Sequence, residues 1–409
     1  LITRGFRKAV FAELRRLERG HITVVESGHR STFGEHDSDL HVTIKVKDPR
    51  FFRAVALGGS IAAGESYCDG LWECDSLVTL IQIFARNAET SNNLGRLGNA
   101  IVSVGRKLSH RLNRNTRDGS RRNIAAHYDL SNDFYALFLD ETMTYSSGIF
   151  PSAESTLADA SREKYDRLCR QLQLTAEDHI LEIGTGWGGF AMHAASHYGC
   201  HVTTTTISQQ QYDYAVQAVD DAGLRDRIEL KLSDYRDLDG SYDKLVSIEM
   251  IEAVGHEFFD TFFAKCSSLL KADGLLAFQA ITIPDQRYAQ YQKSVDFIQR
   301  YIFPGGFLPS LGAIGSSVAR VTDMQFLHTV DFAEHYARTL EQWRLNFEAN
   351  RNAIVDLGMT DSFLRMWEYY LCYCEGAFRE KQIGVAQILL QKPGNRRPLA
   401  IPSLSEVGA

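Results

Sequence analysis

From about residue 159 the chain alternates between short apolar runs and amphipathic stretches. The spacing predicts a helix over 159–172, a strand over 179–183, and a helix that opens at the glycine-rich turn 184–189 and runs to 198. A strand over 201–206, a helix over 209–222 and strands over 228–232 and 244–248 follow. A helix over 257–270 and a strand over 275–281 continue the series. Strands separated by helices of this length need right-handed crossovers. The pattern therefore predicts an α/β fold with a doubly wound, mostly parallel sheet. A late apolar run, 385–391, is expected to join the edge of that sheet.

The first part of the chain reads differently. Residues 21–25 and 40–46 alternate in the manner of strands, while 51–57 and 77–85 have helical periodicity, as in a smaller α+β domain. Residues 87–120 are rich in Asn, Arg, Gly and Ser and read as a connection. The expected boundaries are an N-terminal domain over 1–90, a basic linker over 91–122, a catalytic domain over 123–395 and a tail over 396–409. Between 284 and 320 the alternation breaks into an insertion carrying Tyr288, Tyr291, Phe297, Tyr301, Phe303 and Phe307, bent at Pro304-Gly305-Gly306. So aromatic a segment is expected to form a lid over something apolar. Phe332, Tyr336, Trp343 and Phe347, then Phe363, Trp367, Tyr370 and Phe378, recur at helical spacing, most of them as core.

Composition narrows the class. At 409 residues one ordinary core is too small, so two domains are expected. A hydrophobic content of 44% with 23% charged residues is that of a globular protein, and no apolar run approaches the ~20 residues that span a bilayer. Residues 1–19 mix Arg and Glu and are not expected to act as a secretory signal. Seven cysteines, an odd number at irregular spacing, argue against a disulfide framework, and Cys372 and Cys374 are expected to pack in a core. A cytoplasmic location fits these features. A net charge of −7 disfavours nucleic acid as a partner. Yet Arg106, Lys107, Arg111, Arg114, Arg117, Arg121 and Arg122 face only Asp118 between 106 and 122. That run is either a solvated linker or a patch for anionic lipid headgroups, each basic residue adding roughly 1 kcal/mol.

The run Leu181-Glu182-Ile183-Gly184-Thr185-Gly186-Trp187-Gly188-Gly189 lies just after a strand and opens a helix. Glycines there allow a tight turn and close approach to a ligand, though dinucleotide folds also place glycines at this point. Glu182 precedes the first glycine by two and suits a charged amino group. Thr206, Ile207, Ser208 and Gln211 end the second strand with groups able to hold ribose hydroxyls. Asp234 and Tyr235 follow the third strand, where a carboxylate can accept from an adenine amino group and a ring can stack on the base. No acidic residue ends the second strand, which weakens a nicotinamide reading in favour of S-adenosylmethionine. No metal-ligand cluster lies nearby, so no metal is expected.

With these residues in place, the chain resembles cyclopropane-fatty-acyl-phospholipid synthases, relatives of the mycolic acid methyltransferases. The resemblance is carried by Gly59–Trp72 (GSIAAGESYCDGLW), His127–Phe134 (HYDLSNDF), Tyr301–Gly306 (YIFPGG) and Leu308-Pro309-Ser310. It implies a Rossmann-like S-adenosylmethionine-dependent methyltransferase with an aromatic lid and a substrate-associated N-terminal domain. It also implies cofactor contacts from Tyr145, Ser146 and Arg236 beside Gly184, Thr185, Gly186, Thr206–Gln211 and Tyr235. The family holds a bicarbonate ion, and carried over residue by residue its ligands match Glu252, Tyr336 and Ile281. The family's Cys and His positions are Ser147 and Gln279 here. Both can donate hydrogen bonds, but Gln takes up no proton.

The implied reaction moves the cofactor's methyl carbon onto the cis double bond of an unsaturated phospholipid acyl chain at the membrane's inner face. A cyclopropane closes once bicarbonate removes a proton from the carbocation. The alternatives are a methylene- or methyl-branched product without a ring, and a lipid-binding protein that has lost catalysis. A homodimer is the candidate assembly.

Overall fold

A computed structural model describes residues 2–87 and 130–398 of the chain. The linker 91–122 with its basic run, His127 and most of the tail lie outside the described residues. Among the described residues one compact unit holds 2–87, 291–302 and 340–382, and the other holds 130–290, 303–339 and 383–398. The units interleave along the chain, whereas the sequence reading draws contiguous boundaries.

The first unit is built on a four-stranded sheet of order β2-β1-β3-β4, with β1 His21–Glu26, β2 His29–Gly34, β3 His41–Val46 and β4 Trp72–Cys74. Strand β2, carried by the polar run HRSTFG, was not expected. Its hairpin with β1 turns at Ser27 and Gly28, both at positive φ (49° and 79°), which matches the twist of a tight two-residue turn. The helix Arg50–Cys68 is kinked at Gly59. On that helix Gly64 lies so close to Phe297 and Tyr369 that an added Cβ would sit 2.6 Å and 2.9 Å from their rings. The Trp72 indole donates to the Ala63 carbonyl at 3.0 Å, and Arg365 donates to the carbonyls of Tyr67 (2.6 Å) and Trp72 (2.9 Å). The segment 59–72 is thus committed to packing.

The second unit carries a seven-stranded sheet of order β10-β11-β9-β8-β5-β6-β7. The strands are β5 His179–Ile183, β6 His201–Thr206, β7 Ile228–Leu232, β8 Tyr242–Ile248, β9 Leu270–Thr282, β10 Gln325–Asp331 and β11 Gly384–Gln391. Strands β5 to β9 run parallel, and β11 and β10 are antiparallel additions. The predicted α/β, mostly parallel sheet is the observed one. Two details differ. Strand β11 lies inside the sheet between β9 and β10, because β10 takes the edge position. Strand β10 was not expected, since the run QFLHTVD is half exposed and too polar to read as a strand. The helices Leu157–Leu172 and Gly189–Tyr198 cover the sheet with Leu168, Leu172, Phe190 and Ala194 against Ile180, Val202 and Ala277. Strand order reverses between β5 and β8, and the carboxyl ends of parallel strands at such a switch point form the crevice where open α/β sheets bind ligands.

Candidate active site

The loop after β5 keeps Gly184, Gly186 and Gly188 at positive φ (103°, 53° and 93°), a region costly for other residues. The Gly184 and Thr185 amides donate to the Thr205 carbonyl at 3.0 Å, tying the loop to the end of β6. A Cβ on Gly184 would meet the Met250 side chain at 3.2 Å, while one on Gly186 would meet nothing within 4 Å. The loop therefore faces open space at Gly186, the cradle a cofactor needs. Below it, Thr204 bridges Thr185 (2.7 Å) and a Glu182 oxygen (2.6 Å). Glu182 is fully buried, and burial raises its pKa to about 8 against the pull of Thr204 and Lys164. It supports the loop from beneath and is not exposed to a ligand's amino group.

At the end of β6, Thr206 donates to Gln211 at 2.9 Å and Ser208 caps the next helix through the Gln211 amide, with Ile207 part-exposed between them. After β7, the Asp234 carboxylate accepts from the Arg236 amide and from both ends of its guanidinium (2.6–2.8 Å). That guanidinium competes for the acceptor role expected of Asp234 toward adenine. Tyr235 packs edge-on against Phe262, and its buried hydroxyl has no hydrogen-bond partner among the described residues. Tyr145 lies in an aromatic cluster with Tyr135, Phe138 and Phe303, ring centroids 5.4–6.3 Å away. Ser146 accepts from Lys164 at 2.6 Å. That lysine, on the helix Leu157–Leu172, is fully buried, and desolvation lowers its pKa to about 8 although Glu249, Asp140 and Glu182 pull it up.

Beside this cradle, beyond the end of β8, lies a centre built on a carboxylate. Glu249 accepts from the Ser147 amide (2.9 Å) and the Gln279 amide nitrogen (2.7 Å) on Oε1, and from the Tyr336 hydroxyl (2.7 Å) on Oε2. Its φ of 48° is left-handed, a conformation that costs a non-glycine residue about 1–3 kcal/mol and persists where surroundings over-determine it. Gln279 also donates to the Ser147 carbonyl at 3.2 Å and accepts from Gln387, its partner across the β9–β11 pair, at 3.1 Å. The 147 loop is pinned to the helix Ala333–Ala349 by Gly148 N–H to Thr339 (3.1 Å) and Phe150 N–H to His335 Nδ1 (2.9 Å). Gly148 is required there, since a Cβ would sit 2.7 Å from Ala160.

Glu252, in a 3-10 turn three residues on, accepts the Ile281 amide on Oε1, while its buried Oε2 has no partner among the described residues. Burial and then the neighbouring Glu249 raise its pKa to about 8. Burial also raises Glu249, opposed by Gln279, Lys164, Tyr336 and Ser147. The arrangement is a coupled pair of carboxyl groups, with Glu249 supplied with donors and Glu252 held toward its protonated form.

Residues 115–388 match the family described as mycolic acid cyclopropane synthetase. Over 349 residues the chain is 40% identical to the tuberculostearic acid methyltransferase UfaA1 of Mycobacterium tuberculosis, covering 84% of this chain and 81% of that one. The chain belongs to the mycolic acid cyclopropane synthetase family. Another relative is the cyclopropane-fatty-acyl-phospholipid synthase of Escherichia coli K12, 35% identical over 352 residues and covering 85% and 87% of the two chains. The solved structure of mycolic acid cyclopropane synthase CmaA1 with SAH and CTAB matches with a TM-score of 0.63 at 32% identity, over 66% of this chain and 98% of that one. This family member is an S-adenosylmethionine-dependent methyltransferase, and the open cradle at Gly186 fits its cofactor.

The other ion implied by the resemblance fits poorly. Ser147, Gln279, Tyr336 and Ile281 are brought together with Glu252, but their donors are spent on carboxylates of the chain itself. Ser147 N–H, Gln279 and Tyr336 point to Glu249, the Ile281 N–H points to Glu252, and the Ser147 hydroxyl donates to the Gly148 carbonyl at 3.1 Å. A bicarbonate would find two carboxyl groups, and the one uncommitted donor among these residues would be Glu252 in its protonated form. Sequence reading missed Glu249, Lys164 and Gln387. The acidic pair three apart beyond a strand was a usable signal for Glu249. Lys164 lies on a helix of polar character, and only packing reveals that it is buried.

Proposed function

We propose that the chain transfers the methyl group of S-adenosylmethionine to the double bond of an unsaturated phospholipid acyl chain, then removes a proton from the resulting carbocation. The observation that carries this reading is the carboxylate centre at Glu249 and Glu252, set beside a glycine cradle in a family of acyl-chain cyclopropane synthases. When bound, the cofactor supplies an electrophilic methyl. An isolated alkene is a weak nucleophile and must be held in line and away from water. Tyr145 and Phe303 offer ring faces able to stabilise a cation by roughly 2 kcal/mol when desolvated. Gly184, Thr185, Gly186, Thr206, Gln211 and Tyr235 are assigned to the cofactor. Glu182 and Asp234 act from behind it, through Thr204 and Arg236.

Loss of the proton from the added methyl closes a cyclopropane. A second reading is a hydride shift that moves the cation onto the methylated carbon, after which loss of a proton from the added methyl gives a methylene branch. It is favoured by the fixed Glu249 carboxylate where the resemblance implies a free ion, and by the relative named for tuberculostearic acid. The substrate is met at an anionic membrane surface from the cytoplasmic side, through the basic run 106–122. The test is the lipid profile of cells expressing the protein. Acyl chains heavier by one methylene unit are expected, and NMR separates cyclopropane protons from those of an exocyclic alkene. Unchanged lipids, with S-adenosylmethionine still bound by the purified protein, would favour a lipid-binding protein without catalysis.

A further inference from the structure

We propose that the Glu249 carboxylate is the proton acceptor of the reaction and stands where a free anion would otherwise be recruited, so that turnover needs no bicarbonate. The inference rests on the methyl-transfer reading above.

Three donors from three separate elements converge on Glu249: the Ser147 amide from the 143–150 loop, the Gln279 side chain from β9 and the Tyr336 hydroxyl from the helix Ala333–Ala349. Those are also the positions at which the resemblance implies an anion, and here a side chain meets them. The backbone is bent into the left-handed region to deliver that side chain (φ 48°), with the Glu249 amide anchored on the Gln279 carbonyl at 2.8 Å. A residue held against its conformational preference by this many contacts is placed for its side chain.

The geometry also leaves room for a proton. A carboxylate has about four acceptor positions. Oε1 of Glu249 takes two hydrogen bonds and Oε2 takes one, so Oε2 keeps a lone pair. Gln279 cannot serve as base, having no basic nitrogen, and the Tyr336 hydroxyl is committed as a donor. Glu252 is the member of the pair that burial, and then the neighbouring Glu249, holds toward its protonated form, and among the described residues its second oxygen has no partner. Buried Lys164, hydrogen-bonded to Ser146, adds a positive charge that pulls the Glu249 pKa down against burial.

The step balances without another reactant. As the alkene's electron pair forms the new carbon–carbon bond, the bond from sulfur to methyl breaks and S-adenosylhomocysteine departs, leaving the positive charge on the neighbouring acyl carbon. A C–H bond of the added methyl then breaks. Its electrons close the ring onto the cationic carbon or, if a hydride has first moved from the methylated carbon to the cationic one, form an exocyclic double bond, and the proton goes to Oε2 of Glu249, later passing to solvent.

The experiment compares wild type, Glu249→Gln and Glu249→Gly in buffer stripped of carbon dioxide and with bicarbonate restored. Glycine is at ease at positive φ, so the second variant is expected to fold. Wild-type turnover should be indifferent to bicarbonate. Glu249→Gln should lose about 10²-fold or more, the range of a missing general base, with cofactor affinity kept. Glu249→Gly exposes the same three donors around a vacated space, and bicarbonate or formate should restore roughly tenfold of the lost rate. A binding arm uses carbon-13 bicarbonate followed by NMR: Glu249→Gly should bind it and wild type should not. Wild-type turnover that falls without bicarbonate, full activity in Glu249→Gln, or bicarbonate bound by wild type would each overturn the proposal. If the purified protein methylates no lipid, the functional reading fails by itself, and the binding arm still decides whether Glu249 fills the anion's place.

Discussion

Glu252 shows how a single carboxyl group can couple chemistry to stability. One oxygen rests on the Ile281 amide, the other is buried without a partner among the described residues, and burial with Glu249 nearby raises the pKa from 4.5 to about 8. Between those values the folded chain holds a proton that the unfolded chain has released. Its contribution to stability is therefore greatest below pH 4.5 and declines as pH rises toward 8. Glu252→Gln removes this titration while keeping shape and a donor. In denaturant melts across that window, the variant should gain on wild type as pH rises, by roughly 1–3 kcal/mol at the alkaline end, the cost of a polar group buried unsatisfied. Parallel pH profiles would mean that Glu252 is ionised throughout. Glu252 and Tyr336 are singled out by the sequence together with its family resemblance. Their bonding partners are not, because Glu249 reaches Tyr336 across 87 residues of chain.

At the scale of elements, the loop after β5 joins sequence to function most directly. Gly186 combines a φ of 53° with open space where a Cβ would point. Valine there would be strained by about 1–2 kcal/mol, as L-residues are in the left-handed region, and would also project into the cofactor's cradle. Gly186→Val should weaken S-adenosylmethionine binding by at least roughly tenfold in calorimetry, since about 1.4 kcal/mol is a factor of ten. Undiminished affinity would move the cradle elsewhere. Strands β5, β6 and β7 were legible to the residue because apolar runs punctuated by amphipathic helices have few other solutions. The order of β9, β11 and β10 was not, because an antiparallel strand arriving from the end of the chain can dock at the edge or be covered by a further strand. The Gln279–Gln387 pair on which the carboxylate centre leans follows from that order alone.

At the scale of the whole molecule, the functional reading demands contact with a lipid surface. Among the described residues no helix is long and apolar enough to cross a membrane. The sequence concentrates seven basic residues and one acidic residue between 106 and 122, within a chain of net charge −7. Vesicles containing anionic lipid should therefore bind the protein better than neutral ones. Binding should fall as salt rises, because exposed charges are screened beyond about 8–10 Å at physiological ionic strength. Reversing four of the arginines should weaken vesicle binding several-fold and leave cofactor affinity alone. Unchanged binding in a sedimentation assay would make the run an ordinary solvated linker.

What the sequence determined by itself was local and periodic: the βα alternation, the glycine loop beyond β5, the run of threonines and glutamines beyond β6, and the Glu252 carboxylate beyond β8. Each depends on residues within one or two turns of one another, so spacing is enough to read it. Tertiary structure decided the rest. It turned Glu249 into the left-handed region, buried Lys164 behind Ser146, and gave donors expected for a free ion to a side chain of the same protein. It also joined residues 291–302 and 340–382 to the N-terminal unit. Those outcomes depend on which groups are left without water once distant elements close on each other. In such a site a carboxylate keeps its charge only where several donors and a buried cation meet it.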